Sequence, residues 1–142
     1  MIKFYKVKDP YGYMGNFWKG RFFVYGKWWD TVEAAFQAQK TNIDSEVLAI
    51  QNAIKPMEAR NLGQKCSLRD GWEQIKDIVM YNCVIAKFLQ HKDIRDQLLA
   101  TGGEELVEDS PVDWTWGCGK DGSGRNLLGE ILMRVRRELQ GE

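Results

Sequence analysis

The chain of 142 residues is 44% hydrophobic and 28% charged, which is typical of one globular domain with a sizeable core. Its 20 basic and 20 acidic side chains balance, which argues against binding of long nucleic acid through many phosphate contacts. No stretch approaches the roughly 18 apolar residues of a membrane-spanning helix, so we expect no membrane partner. Cys66, Cys83 and Cys118 are odd in number and widely spaced, which predicts reduced thiols in a cytoplasmic protein.

The N-terminal part of the chain carries the predicted β structure, and helices follow it. IKFYKV alternates roughly as a strand does, and RFFVYGKWWD predicts a hairpin that turns at Tyr25–Gly26. Two helices are predicted to start with an aspartate N-cap, Asp30 in DTVEAAFQAQK and Asp44 in DSEVLAIQNAI. KPMEARNLG predicts a third helix, with Pro56 near its start and Gly63 past its end.

Apolar residues at helical spacing predict a long fourth helix, from about Gly71 to Gln90. DIRDQLLATGG predicts a helix that stops at Gly102, and ELVED predicts a short strand. The residues from about Asn126 onward predict a final amphipathic helix. We therefore expect a mainly α fold, a single compact helical domain over residues 1–142 with a small N-terminal antiparallel β element.

The helix DTVEAAFQAQK places Glu33, Gln37 and Lys40 on one face. Two interpretations of Glu33 compete. Asp30-x-x-Glu33 matches an acidic capping box, in which Glu33 reaches back to a backbone N–H, whereas a catalytic carboxylate needs the same position to face a ligand. Lys40 by itself is more typical of a solvated surface lysine or an ion-pair partner.

The segment DWTWGCGKDGSGRN lies directly before the last predicted helix. Its four glycines, which let the backbone approach a ligand closely, are Gly117, Gly119, Gly122 and Gly124. Asn126 is placed to cap the helix, and the N–H groups of a helix start suit a phosphate. The spacing matches neither a P-loop nor a dinucleotide fingerprint, and a plain turn explains the glycines equally well. Asp113, beside Trp114 and Trp116, favours a site for a nucleotide-like ligand.

Other motifs give weaker evidence for a ligand or metal site. GNF predicts a plain loop, with a second interpretation in which Asn16 binds the polar edge of a ligand and Phe17 stacks on it. The single histidine, His91, and the three cysteines show no metal-ligand spacing. We expect no metal and no cofactor.

The segments GNF, TVEAAFQAQK, GWEQIKDIVM and LLATGGEELVEDSPVDWTWGCGKDGSGRNLLGEILMRVRREL occur in this order. Together they resemble the NADAR superfamily of YbiA-like proteins, and the resemblance spans nearly the whole chain. Its most specific part is the pattern D-x-x-W-G-x-G-x-D-G-x-G-x-N-x-L-G, which begins at Asp113. The fold that the resemblance implies is a mostly helical domain.

The activity that the resemblance implies is an N-glycosidase, which hydrolyses the bond between a ribose phosphate and an amine or nucleobase nitrogen. The implied substrates are an intermediate of riboflavin biosynthesis or an ADP-ribosylated guanine. The implied partners are therefore a phosphorylated riboside or ADP-ribosyl small molecule, with ADP-ribosylated nucleic acid as a further candidate. Two alternatives stay open: a catalytically silent module that binds ADP-ribose or NAD-related nucleotides, and an interaction protein whose tryptophans are core. Glu33 separates them, because a binder gains little from an acid at the anomeric carbon.

The resemblance also implies the site. Glu33 and Asp113 would stabilise the cationic ribose and orient water, and Lys40 would bind phosphate, tune an acid or form a Schiff base with an opened sugar. The implied substrate-binding residues are Asn16, Phe17, Trp72, Trp116, Gly117, Gly119, Gly122, Gly124 and Asn126. The chain departs from the family at Gly15, where serine is usual, and at Ala34, where histidine is usual. These departures predict either a changed substrate preference or a binder that has lost its activity.

Overall fold

The computed structural model describes residues 1–141. These residues form two compact units, which we name by their places in the sequence. The central unit is Lys19–Gln90, and the terminal unit combines Met1–Trp18 with the residues from His91 onward. In chain order the elements are β1 (Ile2–Phe4), a 3-10 turn (Gly12–Met14), β2 (Phe22–Val24), β3 (Lys27–Trp29), α1 (Val32–Ala38), α2 (Asp44–Gln51), α3 (Pro56–Lys65), α4 (Trp72–Gln90), α5 (Lys92–Ala100), β4 (Leu106–Glu108) and α6 (Leu127–Gln140).

The central unit contains the predicted hairpin. β2 and β3 pair in antiparallel register, Phe23 opposite Trp28. Tyr25 and Gly26 form the two-residue turn with φ of 54° and 76°, the conformation that matches the twist of the flanking strands. The predicted antiparallel β element and its turn are thus confirmed.

Helix α1 is the core of the central unit. It packs against α2, α3 and α4, and all seven of its residues are buried. Both the apolar and the polar face of this short helix are therefore enclosed. Polar side chains on a buried face need hydrogen-bond or charge partners inside the protein. The polar side chains of α1 and their partners form the site described below.

Three helix boundaries differ from the sequence-based predictions. The N-cap of α1 is Thr31 rather than Asp30, since the Thr31 hydroxyl accepts the Ala34 N–H at 3.1 Å. Asp44 is the first residue of α2 and lies one position past the cap. Gly63 lies inside α3, which continues to Lys65, because this glycine serves packing rather than termination.

The terminal unit is organised around a parallel strand pair that the sequence did not predict. β1 pairs with β4, with Ile2 opposite Leu106. Helix α6 packs on β4 and also contacts α5, and it buries Leu128, Leu132 and Val135. The predicted strand in ELVED and the helix stop at Gly102, whose φ is 65°, are confirmed.

Helices dominate both units, so the predicted mainly α class is confirmed. A single domain over residues 1–142 stays a prediction. Among residues 1–141, no helix is long and apolar enough to cross a membrane.

Candidate active site

Glu33 is a buried carboxylate held by a neighbouring amide. It is the second residue of α1, and only 7% of its surface is exposed. Its Oε2 accepts a hydrogen bond from Gln37 Nε2 at 2.7 Å, one helical turn further on. Because Thr31 caps the helix, the capping-box interpretation of Glu33 is wrong. The carboxylate faces along the helix toward Gln37 and does not reach back to the helix start.

Lys40 lies just after α1, and its side chain is half-buried. Burial lowers the pKa of Lys40, while the charge of Glu33 acts in the opposite direction and raises it. The ammonium lies 5.9 Å from the centre of the Phe36 ring, within the range of a cation–π contact. The interpretation of Lys40 as a fully solvated surface lysine is therefore wrong.

Trp72, the first residue of α4, joins the same cluster through Phe36. The two ring centres lie 5.2 Å apart and the rings are tilted by 58°. Only 5% of Trp72 is exposed, so its ring packs in the core and offers little surface to a flat ligand. The central unit thus brings Glu33, Lys40 and Trp72 together around Phe36, and we call these residues with Gln37 the α1 cluster.

Asp113 is engaged with the backbone that follows it in the terminal unit. Its Oδ1 accepts the N–H groups of Thr115 at 3.0 Å and Trp116 at 2.8 Å, which fixes the turn of the W-x-W segment. Trp116 is half-buried, and the exposed Trp114 packs its ring against Gly119. Asp113 therefore has a structural role in this turn, and its predicted catalytic role stays a prediction.

The amides at the start of α6 are already occupied. Leu127 N–H donates to the Thr115 carbonyl at 3.1 Å, and Leu128 N–H donates to the Trp116 carbonyl at 3.0 Å. Asn126 occupies the predicted N-cap position, but its side chain does not cap the helix, since it accepts the Glu108 N–H and donates to the Leu106 carbonyl. The prediction of a phosphate held by these helix N–H groups is therefore wrong, because carbonyl groups of the preceding loop already accept their hydrogen bonds.

Most of the predicted ligand-binding glycines have a packing role. A Cβ at Gly124 would lie 2.6–2.7 Å from backbone atoms of Cys118 and Gly117. A Cβ at Gly119, whose φ is 72°, would meet the Trp114 ring, and one at Gly117 would meet neighbours at 3.0–3.1 Å. Of the four glycines, only Gly122 has space for a side chain, since no atom lies within 4 Å of its Cβ position, but its φ is 85°.

A cavity of about 520 Å³ lies beside this loop in the terminal unit. Of the predicted residues, its lining includes Gly119, Gly122, Gly124 and Asn126, but not Asp113, Trp116 or Gly117. Its cations are the side chains of Lys3, Lys120 and Arg125, and acidic side chains also line it. Any anion bound there would thus depend on side chains more than on backbone N–H groups.

Asn16 and Phe17 follow the 3-10 turn of the terminal unit and are half-buried. Gly15, the first departure from the family pattern, has φ of −76°, and a Cβ there would have only one contact, at 3.4 Å from the Gly12 carbonyl oxygen. Local packing therefore leaves room for the usual serine. Ala34, the second departure, is buried in the first turn of α1.

Comparison with known proteins identifies the chain. A family model described as the NADAR domain matches residues 3–140. The chain belongs to the NADAR family.

Two relatives of this NADAR protein are named N-glycosidases, and a third is named for riboflavin biosynthesis. N-glycosidase Npun_R5314 of Nostoc punctiforme is 45% identical over 98% of this chain and 92% of its own length. N-glycosidase YbiA of Escherichia coli is 41% identical over 98% of this chain and 88% of its own length. The Vibrio vulnificus riboflavin biosynthesis protein VVA0006 is 40% identical over 98% of this chain, which covers 38% of that protein.

A solved structure supports the fold. The NMR structure of the Escherichia coli protein YbiA matches with a TM-score of 0.90 at 40% identity, over 98% of this chain and 84% of that one. The resemblance to the NADAR family and the mainly α fold are thus confirmed.

Sequence reasoning overlooked one member of the α1 cluster of this NADAR protein. The sequence pattern puts Gln37 on the same face as Glu33 but indicates no role for it. The helical spacing i, i+4 between Glu33 and Gln37 was the available signal, since such pairs can hydrogen-bond along a helix.

Proposed function

We propose that this NADAR protein is an N-glycosidase that hydrolyses the bond between the anomeric carbon of a ribosyl phosphate and a nitrogen. Two relatives that match nearly the full chain, at 45% and 41% identity, are named N-glycosidases. The observation that carries the proposal within the structure is the buried Glu33 carboxylate, oriented by Gln37 and beside the charge of Lys40. A buried, oriented carboxylate is the group that this reaction requires.

The reaction places positive charge on the ribose ring. The C–N bond breaks with its electron pair moving to nitrogen, and water forms the new C–O bond. The proton that water loses balances the one that nitrogen gains, so the products are a ribose phosphate and a free amine or base. Glu33 is proposed to stabilise the cationic ring, an effect that low solvent access strengthens. Asp113 is proposed as the second carboxylate.

The half-buried Lys40 amine lies near Glu33 and within cation–π range of the Phe36 ring, and burial lowers its pKa. We propose that it attacks the aldehyde of an opened sugar, forming an imine with release of one water. Treatment of a reacting mixture with borohydride should then add the sugar phosphate irreversibly to Lys40, as measured by the mass of the intact protein and of its peptides. Lys40→Arg should yield no adduct, because a guanidinium does not form this imine.

The test of the activity is a panel of N-ribosides. It contains a phosphoribosylaminopyrimidine, an ADP-ribosylated guanine oligonucleotide and the dephosphorylated form of the first. Mass spectrometry follows the released base and sugar. We expect release from at least one phosphorylated compound, and none from the same compound with Glu33→Gln. Tight binding by the wild type without release from any compound would establish a binding module instead.

The proposal also covers the substrate, the residues that bind it and the location of the protein. The substrate is a phosphorylated riboside or an ADP-ribosyl compound, and ADP-ribosylated nucleic acid is the larger candidate. The residues proposed for substrate binding are Asn16, Phe17, Trp116 and Asn126. A cytoplasmic location is proposed as well, supported by three cysteines that are all free thiols.

A further inference from the structure

The Gln37 side chain makes one hydrogen bond, and that bond goes to the proposed catalytic carboxylate. Its Nε2 donates to Glu33 Oε2 at 2.7 Å, and 5% of the residue is exposed. A donated N–H favours the ionised form of a carboxylate and fixes the orientation of its oxygens. Gln37 thus acts on both properties of Glu33 on which charge stabilisation depends.

The other end of the same amide has no hydrogen-bond partner. Gln37 Oε1 is buried and accepts no hydrogen bond from the described residues. A buried acceptor without a donor is unfavourable for folding, and an apolar side chain of similar length would avoid this cost. The unpaired oxygen therefore adds no stability, and what the amide contributes is its contact with the Glu33 carboxylate.

Gly63 of α3 forms the surface against which this amide packs. A Cβ at Gly63 would overlap Gln37 Oε1 and would lie 2.8 Å from both Cβ and Cδ of Gln37. The glycine thus leaves room for the amide, which packs closely against this turn of α3. This contact also explains why a glycine stands two residues before the end of α3.

We propose that Gln37 is a positioning residue that orients Glu33 and keeps it ionised, and that Gly63 holds the Gln37 amide in place. The catalytic part of this inference rests on the proposed N-glycosidase activity. The electrostatic part does not, since it concerns the ionisation of Glu33 in the protein without substrate.

Gln37→Met tests the positioning role, with Gln39→Met as the matched control. Gln39 lies at the end of the same helix, and its amide donates to the Ala35 carbonyl at 3.0 Å. On the phosphoribosylaminopyrimidine, Gln37→Met should lower kcat about 10- to 100-fold, the effect expected for one lost hydrogen bond to a charged group. The thermal midpoint of Gln37→Met should fall, because the buried Glu33 carboxylate loses a donor, but the variant should stay folded at the assay temperature, and Gln39→Met should retain kcat. A Gln37→Met protein that loses stability but not kcat would overturn the proposal.

A second measurement needs no substrate. The side-chain carboxyl signal of Glu33 in protein labelled with ¹³C-glutamate is identified by its loss in Glu33→Gln, and its titration is followed by NMR. In Gln37→Met the midpoint should rise by about one pH unit or more, and in Gln39→Met it should not move. Gly63→Ala should raise the midpoint as well, whereas Gly103→Ala, where a Cβ meets no atom within 4 Å, should not.

The two measurements separate the possible failures. Equal midpoints in the wild type and Gln37→Met would overturn the positioning role whatever the activity. A raised midpoint in a protein without turnover on any riboside would support the positioning role and overturn the proposed N-glycosidase.

Discussion

Replacement of Glu33 by glutamine should separate catalysis from folding. The glutamine keeps the shape of the side chain, and its amide oxygen can still accept the hydrogen bond that Gln37 donates at 2.7 Å. The helix cap is unaffected, because Thr31 supplies it. We therefore expect the free energy of unfolding to change by no more than about 1 kcal/mol, or roughly 4 °C in thermal midpoint.

The same substitution should nearly abolish turnover. A neutral amide cannot stabilise the cationic ribose, and the loss of one preorganised group of this kind costs on the order of 10³ in rate, or roughly 4 kcal/mol. Ground-state binding depends less on the charge, so affinity should stay within about tenfold, or roughly 1.4 kcal/mol. Single-turnover mass spectrometry measures the rate, and calorimetry with the same phosphorylated riboside measures the affinity.

Thr31→Ala is the matched control, since it removes the actual cap. It should lower the free energy of unfolding by about 1 kcal/mol and leave turnover nearly unchanged. A Glu33→Gln protein with wild-type turnover would refute the catalytic role of Glu33. If Glu33→Gln instead unfolded more readily than Thr31→Ala, Glu33 would be a structural residue.

Three further predictions concern other parts of the chain. Gly124→Ala should destabilise the protein by about 2 kcal/mol or more and weaken phosphorylated and dephosphorylated ligands equally, because its Cβ meets backbone, whereas Gly122→Ala should cost about 1 kcal/mol from its positive φ alone; calorimetry and urea unfolding measure both. Turnover should survive exhaustive chelation with EDTA, and loss that one added metal restores would contradict this. Burial lowers the pKa of Lys87 from 10.5 to about 7, so the unfolded chain binds more protons between these pH values, and stability gains a component that rises with pH. From pH 7 to pH 9.5 the urea midpoint should therefore rise less, or fall more, in Lys87→Met than in the wild type. The exposed control Lys92→Met should show the same change as the wild type.

Features with a local physical cause could be predicted from the sequence. The hairpin turn at Tyr25–Gly26 depends on two adjacent residues that adopt positive φ between strands. The stop of α5 at Gly102 has the same kind of cause. The order of motifs identified the family, since the D-x-x-W-G-x-G pattern is specific without any knowledge of contacts.

Features that depend on a distant neighbour could not be predicted in this way. The sequence pattern predicts that Gly63 ends a helix, but in the structure Gly63 lies inside α3 and the Gln37 amide packs against it. Asn126 matched a helix cap, but its side chain holds the β4 backbone instead. In both cases the residue type allowed two roles, and a partner 18 or more residues away decided between them.

The sequence by itself determined that Glu33 and Gln37 share one side of a helix, because the helical repeat fixes that arrangement, whereas Lys40, predicted on the same side, lies just after α1. Only the tertiary structure decided which elements pack against this side of α1. Packing of α1 among α2, α3 and α4 buried the polar side with the apolar one. A carboxylate that would be solvated at a surface thereby became desolvated and oriented, and the Gln37 amide and the nearby Lys40 are among the groups that offset the cost of burying it.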